Sequence, residues 1–207
     1  MKIVLYGASG NAGSRILGEL RARGHEVTAI VRHPEKLPVG VKGQRDDLGN
    51  ADRIAEIVAG ADAVISAYAP PQNDTDQLIG VTTRQIEAIQ KAGNPRLIVV
   101  GGAGTLEVAP GVTLLASGHL PEAWAPIAKS HARALELLQA SEIDWTYFSP
   151  AAFFEPGVRT GKFRLGDRSL IADDKGQSRI SLEDYAIALV DELEKPAHLR
   201  AQFTIGY

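Results

Sequence analysis

Five short apolar runs with no polar alternation punctuate the chain, at positions 3–6, 27–31, 63–65, 97–100 and 145–148. A strand open to water on one face alternates polar and apolar positions. Continuous runs instead predict strands covered on both faces, as in a parallel sheet flanked by helices. A shorter run at 39–42 is expected to supply one more strand.

Between these runs the period lengthens to that of a helix. Ile16, Leu17 and Leu20 share a face ahead of Gly24, which suits a helix end. Ile54, Ile57 and Val58 do so ahead of Gly60, and Leu78, Ile79, Thr82, Ile86 and Ile89 ahead of Gly93. Residues 127–140 carry a fourth helical pattern. Ser181 with Asp184 forms a capping signal in front of Tyr185, Ile187, Ala188, Val190 and Leu193. The alternation predicts an α/β fold, a Rossmann-type doubly wound parallel sheet with a small C-terminal elaboration. Two stretches break the rhythm and are expected to form the substrate-side loops. These are residues 101–124, and residues 151–180 with a hairpin near Gly166 and Asp167.

Composition narrows the chemistry. The 207 residues fit one domain and carry 22 Lys+Arg against 25 Asp+Glu, which gives no electrostatic reason to expect nucleic acid or a membrane as partner. Cysteine is absent, which excludes disulfides, thiolate metal sites and cysteine nucleophiles. The five histidines lack metal-ligand spacing, so no metal is expected. The first apolar run stops at Gly7, too short for a signal or membrane segment, and a cytoplasmic protein is expected.

The strongest motif is the heptad Gly7-Ala8-Ser9-Gly10-Asn11-Ala12-Gly13, set between the first strand and the first helix. Gly7 suits a tight turn, Gly10 close approach of a pyrophosphate, and Gly13 close packing of helix on strand. Unpaired N–H groups at the helix start would face the negative charge. At the end of the second strand, where an NAD site carries a carboxylate, this chain has Arg32 and His33. A guanidinium suits a 2′-phosphate, which favours NADP(H), with NAD(H) as the alternative. Arg32 as a plain surface charge is the competing reading.

Asp46 and Leu48 follow the third strand, where a carboxylate can face an adenine or cap a turn. Ser66, Ala67 and Tyr68 end the fourth strand, on the side where open sheets bind ligands. Gly101, Gly102 and Thr105 end the fifth, where glycines give clearance for a nicotinamide ring or make a turn. Thr105 and His119 are the candidate catalytic groups, His119 being the one neutral-pH acid in the irregular loop. Trp124 and Phe153 are candidates to stack on a flat substrate, or to serve as core or interface aromatics. Lys129 lacks a tyrosine four residues earlier, where Ala125 stands, so the proton relay of alcohol dehydrogenation is missing.

The 7–13 loop, Ile30-Val31-Arg32, the string from Val99 to Leu106 and the string from Asp144 to Ala151 together resemble the atypical short-chain dehydrogenase-like proteins. The NADH-flavin reductase group is nearest; biliverdin-IXβ reductase and NmrA-like proteins are more distant. The resemblance implies phosphate and ribose contacts at Gly7, Ser9, Gly10, Asn11, Ala12 and Arg32, and adenine contacts at Asp46 and Leu48. It places Ser66 and Ala67 at the ribose, and Gly101, Gly102 and Pro150 at the nicotinamide side. It also implies hydride transfer from NAD(P)H to a flavin, quinone or similar planar acceptor. A non-catalytic NADP(H) redox sensor of the NmrA-like type is the alternative. An epimerase acting on a nucleotide sugar would need an acid/base pair and a larger substrate domain. Separately from the resemblance, a monomer or homodimer is expected, since no heptad or other partner signature is present.

Overall fold

The computed structural model describes all residues, 1–207. Its first half runs β1 (Lys2–Tyr6), α1 (Asn11–Ala22), β2 (Glu26–Val31), β3 (Lys42–Arg45), α2 (Ala51–Val58), β4 (Ala63–Ser66) and α3 (Gln77–Lys91). The second half runs β5 (Arg96–Val100), β6 (Glu107–Ala109), β7 (Val112–Thr113), α4 (Ala125–Gln139), β8 (Trp145–Ser149), β9 (Phe153–Glu155), β10 (Arg164–Gly166), β11 (Arg179–Ser181), α5 (Leu182–Glu194) and β12 (Ala201–Gly206).

Eight strands form one sheet in the order β10-β12-β8-β5-β4-β1-β2-β3. Every pairing is parallel except that of β10 with β12. The chain leaves β1 toward β2 and β3, then crosses back to β4 on the other side. The order therefore reverses between β1 and β4, which opens a crevice at their carboxyl ends.

Strand periodicity divides the core in two. Ile3 and Leu5 of β1 pack with Ile16, Leu20, Tyr185 and Leu189, on the side of α1 and α5. Val4 and Tyr6 pack with Ile54, Val81, Ile89 and Leu138, on the side of α2, α3 and α4. Both faces are covered, and this is why the strands read as unbroken apolar runs. At β8 the packing is aromatic: Phe148 stacks on Tyr185 at 4.3 Å and on Phe203 at 4.0 Å. The Tyr185 hydroxyl donates to the Phe148 carbonyl at 2.7 Å, so the buried phenol keeps a partner.

Two sequence expectations are corrected here, and one strand is added to them. The third strand lies at Lys42–Arg45, because the 39–41 stretch belongs to a turn closed by Val41 N–H to Pro38 O. No hairpin forms about Gly166 and Asp167; β10 pairs antiparallel with β12 instead, through Leu165 opposite Ile205. The last strand, β12, carries polar Gln202 and Thr204 among its apolar residues and breaks the expected pattern, yet all but its first residue is buried. The two irregular stretches contain short strands of their own, β6 with β7 and β9 with β11.

Candidate functional site

The glycine loop closes the crevice between β1 and β4. Gly7 has φ +73°, a left-handed conformation that a side chain would strain. A Cβ there would also lie 2.3 Å from the Ala67 carbonyl oxygen. At Gly13 a Cβ would lie 2.0 Å from the Gly7 carbonyl oxygen, so the helix sits directly on the turn. Gly10 differs: its only near neighbour is Gly7 O at 3.2 Å, and its open side faces outward. Helix α1 starts at Asn11 with no capping side chain and no acidic residue in its first turn. The N–H groups of Asn11, Ala12 and Gly13 therefore lack helical acceptors, and Ser14 N–H is the first to find one, Gly10 O at 2.9 Å. Unpaired donors at a positive helix end, with bare backbone around them, fit a pyrophosphate. Ser9 and Asn11 are exposed beside them, and Ala8 is buried beneath.

Two arginines stand beyond this cradle. Val31 of β2 is in register with Arg45 of β3, which brings Arg32 and Arg45 to the same end of adjacent strands. They line a cleft of about 370 Å³ with His33, Asp46 and Asp47. Both guanidiniums are exposed, and neither makes an ion pair or side-chain hydrogen bond. His33 pairs instead with Glu35 at 3.2 Å, both at the surface. Sequence reading missed Arg45 because it placed β3 three residues early. Only the register shows that the two arginines are neighbours.

The turn after β3 is tightly built. One Asp46 carboxylate oxygen accepts from Leu48 N–H at 2.9 Å, Leu48 takes φ +62°, and its carbonyl accepts from Arg84 Nε at 2.6 Å. Burial raises the Asp46 pKa, and the neighbouring Asp47 charge adds to this against the Leu48 hydrogen bond. The Tyr6 hydroxyl lies close by, buried and without a partner. Ser66 does not face the crevice. It is buried, and its hydroxyl accepts from Gln85 at 3.0 Å. Ala67 offers the backbone that touches Gly7, and Tyr68 is half-buried with its hydroxyl on Gln77 at 3.2 Å. Burial raises the Tyr68 pKa, opposed by the charges of Arg32 and Arg84.

At the end of β5 the glycines have a reason the sequence did not show. A Cβ on Gly101 would lie 2.4 Å from the Tyr147 ring, one on Gly102 3.0 Å from the His131 ring, and one on Gly104 2.8 Å from Ala128. These glycines let the loop rest on α4 and β8, a closer constraint than clearance for a bound ring. Thr105 is buried: its hydroxyl donates to Gly102 O at 3.2 Å and accepts from Gln202 Nε2 at 2.7 Å. Its part in the loop is structural, and the hydroxyl is not free for proton transfer. Pro150 is buried at the end of β8.

The loop leading into α4 lies on the same side. Trp124 and Phe153 come together, ring centroids 6.3 Å apart and edge to face at 74°, although both remain about half exposed. His119 is exposed in the preceding turn, held only through its backbone N–H to the Ser117 hydroxyl at 3.2 Å. Lys129 points to solvent from α4. On the opposite side of the strand ends, the segment after β9 is strapped to α5: Glu183 accepts from Gly157 N–H at 2.8 Å and from Arg15 Nε at 3.1 Å.

Comparison with known proteins agrees with this geometry. A family model described as NAD(P)H-binding matches residues 7–196. YwnB of Bacillus subtilis, an uncharacterised protein, is 40% identical across 99% of this chain and 98% of its own. Among solved structures, a candidate epimerase of Bacteroides thetaiotaomicron is 48% identical with a TM-score of 0.94, covering 100% of this chain and 96% of that one. A candidate NADH-flavin reductase of Streptococcus pneumoniae is 35% identical with a TM-score of 0.88, covering 100% and 99%. The sheet with its crevice at β1 and β4, the glycine cradle and a match over nearly the whole chain together show that this protein belongs to the NAD(P)H-binding family.

Proposed function

We propose that the protein is an NADPH-preferring reductase that passes hydride to a flavin, quinone or similar planar acceptor. The observation that carries this reading is the pairing of Arg32 and Arg45 in one cleft without a carboxylate partner, at the strand ends beside the glycine cradle. Two free guanidiniums suit the doubly charged 2′-phosphate, whereas a ribose hydroxyl is better met by an acid. Gly7, Gly10 and the N–H groups of Asn11, Ala12 and Gly13 hold the pyrophosphate in this proposal. The turn at Asp46 and Leu48 borders the adenine. Ala67 and Gly101 to Gly102 border the ribose and nicotinamide, and Pro150 shapes the floor.

When bound, the nicotinamide supplies a hydride, which is two electrons and one proton. The planar acceptor is reduced by that hydride and takes its further proton from solvent, so no acidic side chain is demanded. The chain's own part is orientation: Trp124 and Phe153 offer two aromatic surfaces at the carboxyl ends of β5 and β8, where a flat ring can be held. Ala125 stands where a short-chain dehydrogenase would carry its tyrosine, and this favours an electron-poor acceptor over an alcohol or ketone. A nucleotide-sugar epimerase would also need a broad substrate domain, and the 151–180 stretch contributes only three short strands.

The test is nicotinamide oxidation followed by absorbance, with NADPH and NADH, in the presence of FMN and a panel of quinones. Acceptor-dependent oxidation that is faster with NADPH supports the reading. Tight NADPH binding with no turnover on any acceptor replaces it with a redox sensor, and no binding of either nucleotide removes both.

A further inference from the structure

The residues singled out from the sequence leave one polar group at this site unused. His131 lies about two helical turns beyond Trp124 in α4, with its half-buried ring against Gly102. Its Nδ1 is 2.8 Å from the Tyr147 hydroxyl, which also accepts from Gly102 N–H at 3.2 Å. The phenol is wholly buried in β8, and it ties the ring to the loop at the end of β5. The other ring nitrogen, Nε2, has no partner. Nε2 is not among the fully buried polar atoms that lack a partner, which are Tyr6 Oη, His25 Nδ1 and Gln202 Oε1, so it keeps some contact with solvent.

From this geometry we infer that His131 is an orienting contact for the planar acceptor, presenting Nε2–H as a hydrogen-bond donor to an acceptor carbonyl, with Tyr147 as the residue that positions the ring. The inference rests on the reductase reading above and gives that site its polar anchor. Tyr147 has a single hydroxyl proton and two acceptors in reach, His131 Nδ1 at 2.8 Å and His131 O at 3.3 Å. Donation to the nearer one leaves the ring proton on Nε2. Trp124, the residue just before α4, is followed at i+4 and i+7 by Ala128 and His131, a spacing that continues along one stripe of the helix. Gly104 rests on Ala128 and Gly102 on His131, so the stripe faces the rim loop. A ring held against Trp124 and Phe153 thus meets one neutral donor along the same helix. Burial keeps this imidazole uncharged at neutral pH, which suits a donor and not an imidazolium acid.

The test compares wild type with His131→Ala, His131→Gln, His131→Asn and Tyr147→Phe. Readouts are NADPH affinity by fluorescence and steady-state reduction of FMN and menadione. The expected result is a rise of about fivefold to tenfold in acceptor KM for His131→Ala, the size of one lost hydrogen bond, with NADPH affinity unchanged. Gln can place its amide N–H near the Nε2 position and should recover most of the loss. Asn reaches only the Nδ1 position and should not. Tyr147→Phe should raise KM in the same direction through a loosened ring. Unchanged acceptor KM in His131→Ala, or equal behaviour of Gln and Asn, overturns the inference while the reductase reading stands. A pH-dependent limb in kcat that vanishes in His131→Gln overturns the neutral-donor role. Absence of turnover in wild type overturns the reductase reading itself, and this inference with it.

Discussion

A Cβ added to Gly13 would lie 2.0 Å from the carbonyl oxygen of Gly7, six residues earlier in the chain. Helix α1 therefore rests on the turn that ends β1, and no side chain fits between them. The donors at its first turn are aimed by this contact, not by a capping side chain.

Gly13→Ala is accordingly expected to lower stability by about 1–3 kcal/mol, because backbone must move to admit the methyl group. It should also weaken NADPH binding at least tenfold, since the helix start moves with it. Gly10→Ala meets only one atom, at 3.2 Å, and should leave the unfolding free energy nearly intact while still weakening binding. Thermal melting and a nucleotide titration on both variants separate the two effects. Equal melting temperatures for Gly13→Ala and wild type would contradict the packing argument.

Arg32→Ala and Arg45→Ala should each weaken NADPH by about tenfold or more, the scale of a hydrogen bond to a charged group, and leave NADH within about twofold. Raising the salt concentration should narrow the NADPH advantage, because both guanidiniums are exposed. Equal losses for the two nucleotides would assign these arginines to the shared part of the cofactor, away from the 2′-phosphate.

Trp124→Ala and Phe153→Ala are expected to raise acceptor KM severalfold and to change stability by less than about 1 kcal/mol, since both rings are about half exposed. Their edge-to-face contact predicts that the double variant loses less than the two single losses combined. Full additivity in a double-mutant cycle on KM would show that the rings act separately.

Acid should weaken the fold in two stages. Burial lowers the His131 imidazole from 6.5 to about 4, so on acidification the unfolded chain takes up this proton first. The stability held by the neutral ring is whole above about pH 6.5 and is lost as pH falls from there toward 4, at most about 3 kcal/mol over the span. At Asp184 burial opposes the charge, but hydrogen bonds from Thr160, Gly161 and Tyr207 outweigh it and hold the carboxyl below its usual 3.8. Its contribution is full above that value and disappears as pH falls through the lower folded one. Urea unfolding across the acid range should show a flatter upper stage in His131→Gln and a flatter lower stage in Asp184→Asn. An unchanged upper stage in His131→Gln would mean that the ring is not held neutral by its surroundings.

The glycine loop was legible because its demands are local: turn, close approach and helix start are all written within residues 7–13. The strand runs were legible because coverage on both faces removes polar alternation, and that signature needs no partner to be read. β12 was not, since Gln202 and Thr204 break its run. They are tolerated only because Ser149 and Thr105 of distant segments answer them: Gln202 donates to both side chains, and Thr204 donates to the Ser149 carbonyl.

By itself the sequence determined the alternating fold and the glycine turn that opens the first helix. Tertiary structure alone decided that Arg45 joins Arg32, because strand register is a relation between segments and no local pattern encodes it. It also decided that Thr105 turns inward, that Trp124 meets Phe153, and that Tyr147 fixes His131 beneath Gly102. Each of these is a contact across many residues of chain, set by how helices and strands pack, and a residue's own neighbours in sequence carry no record of it.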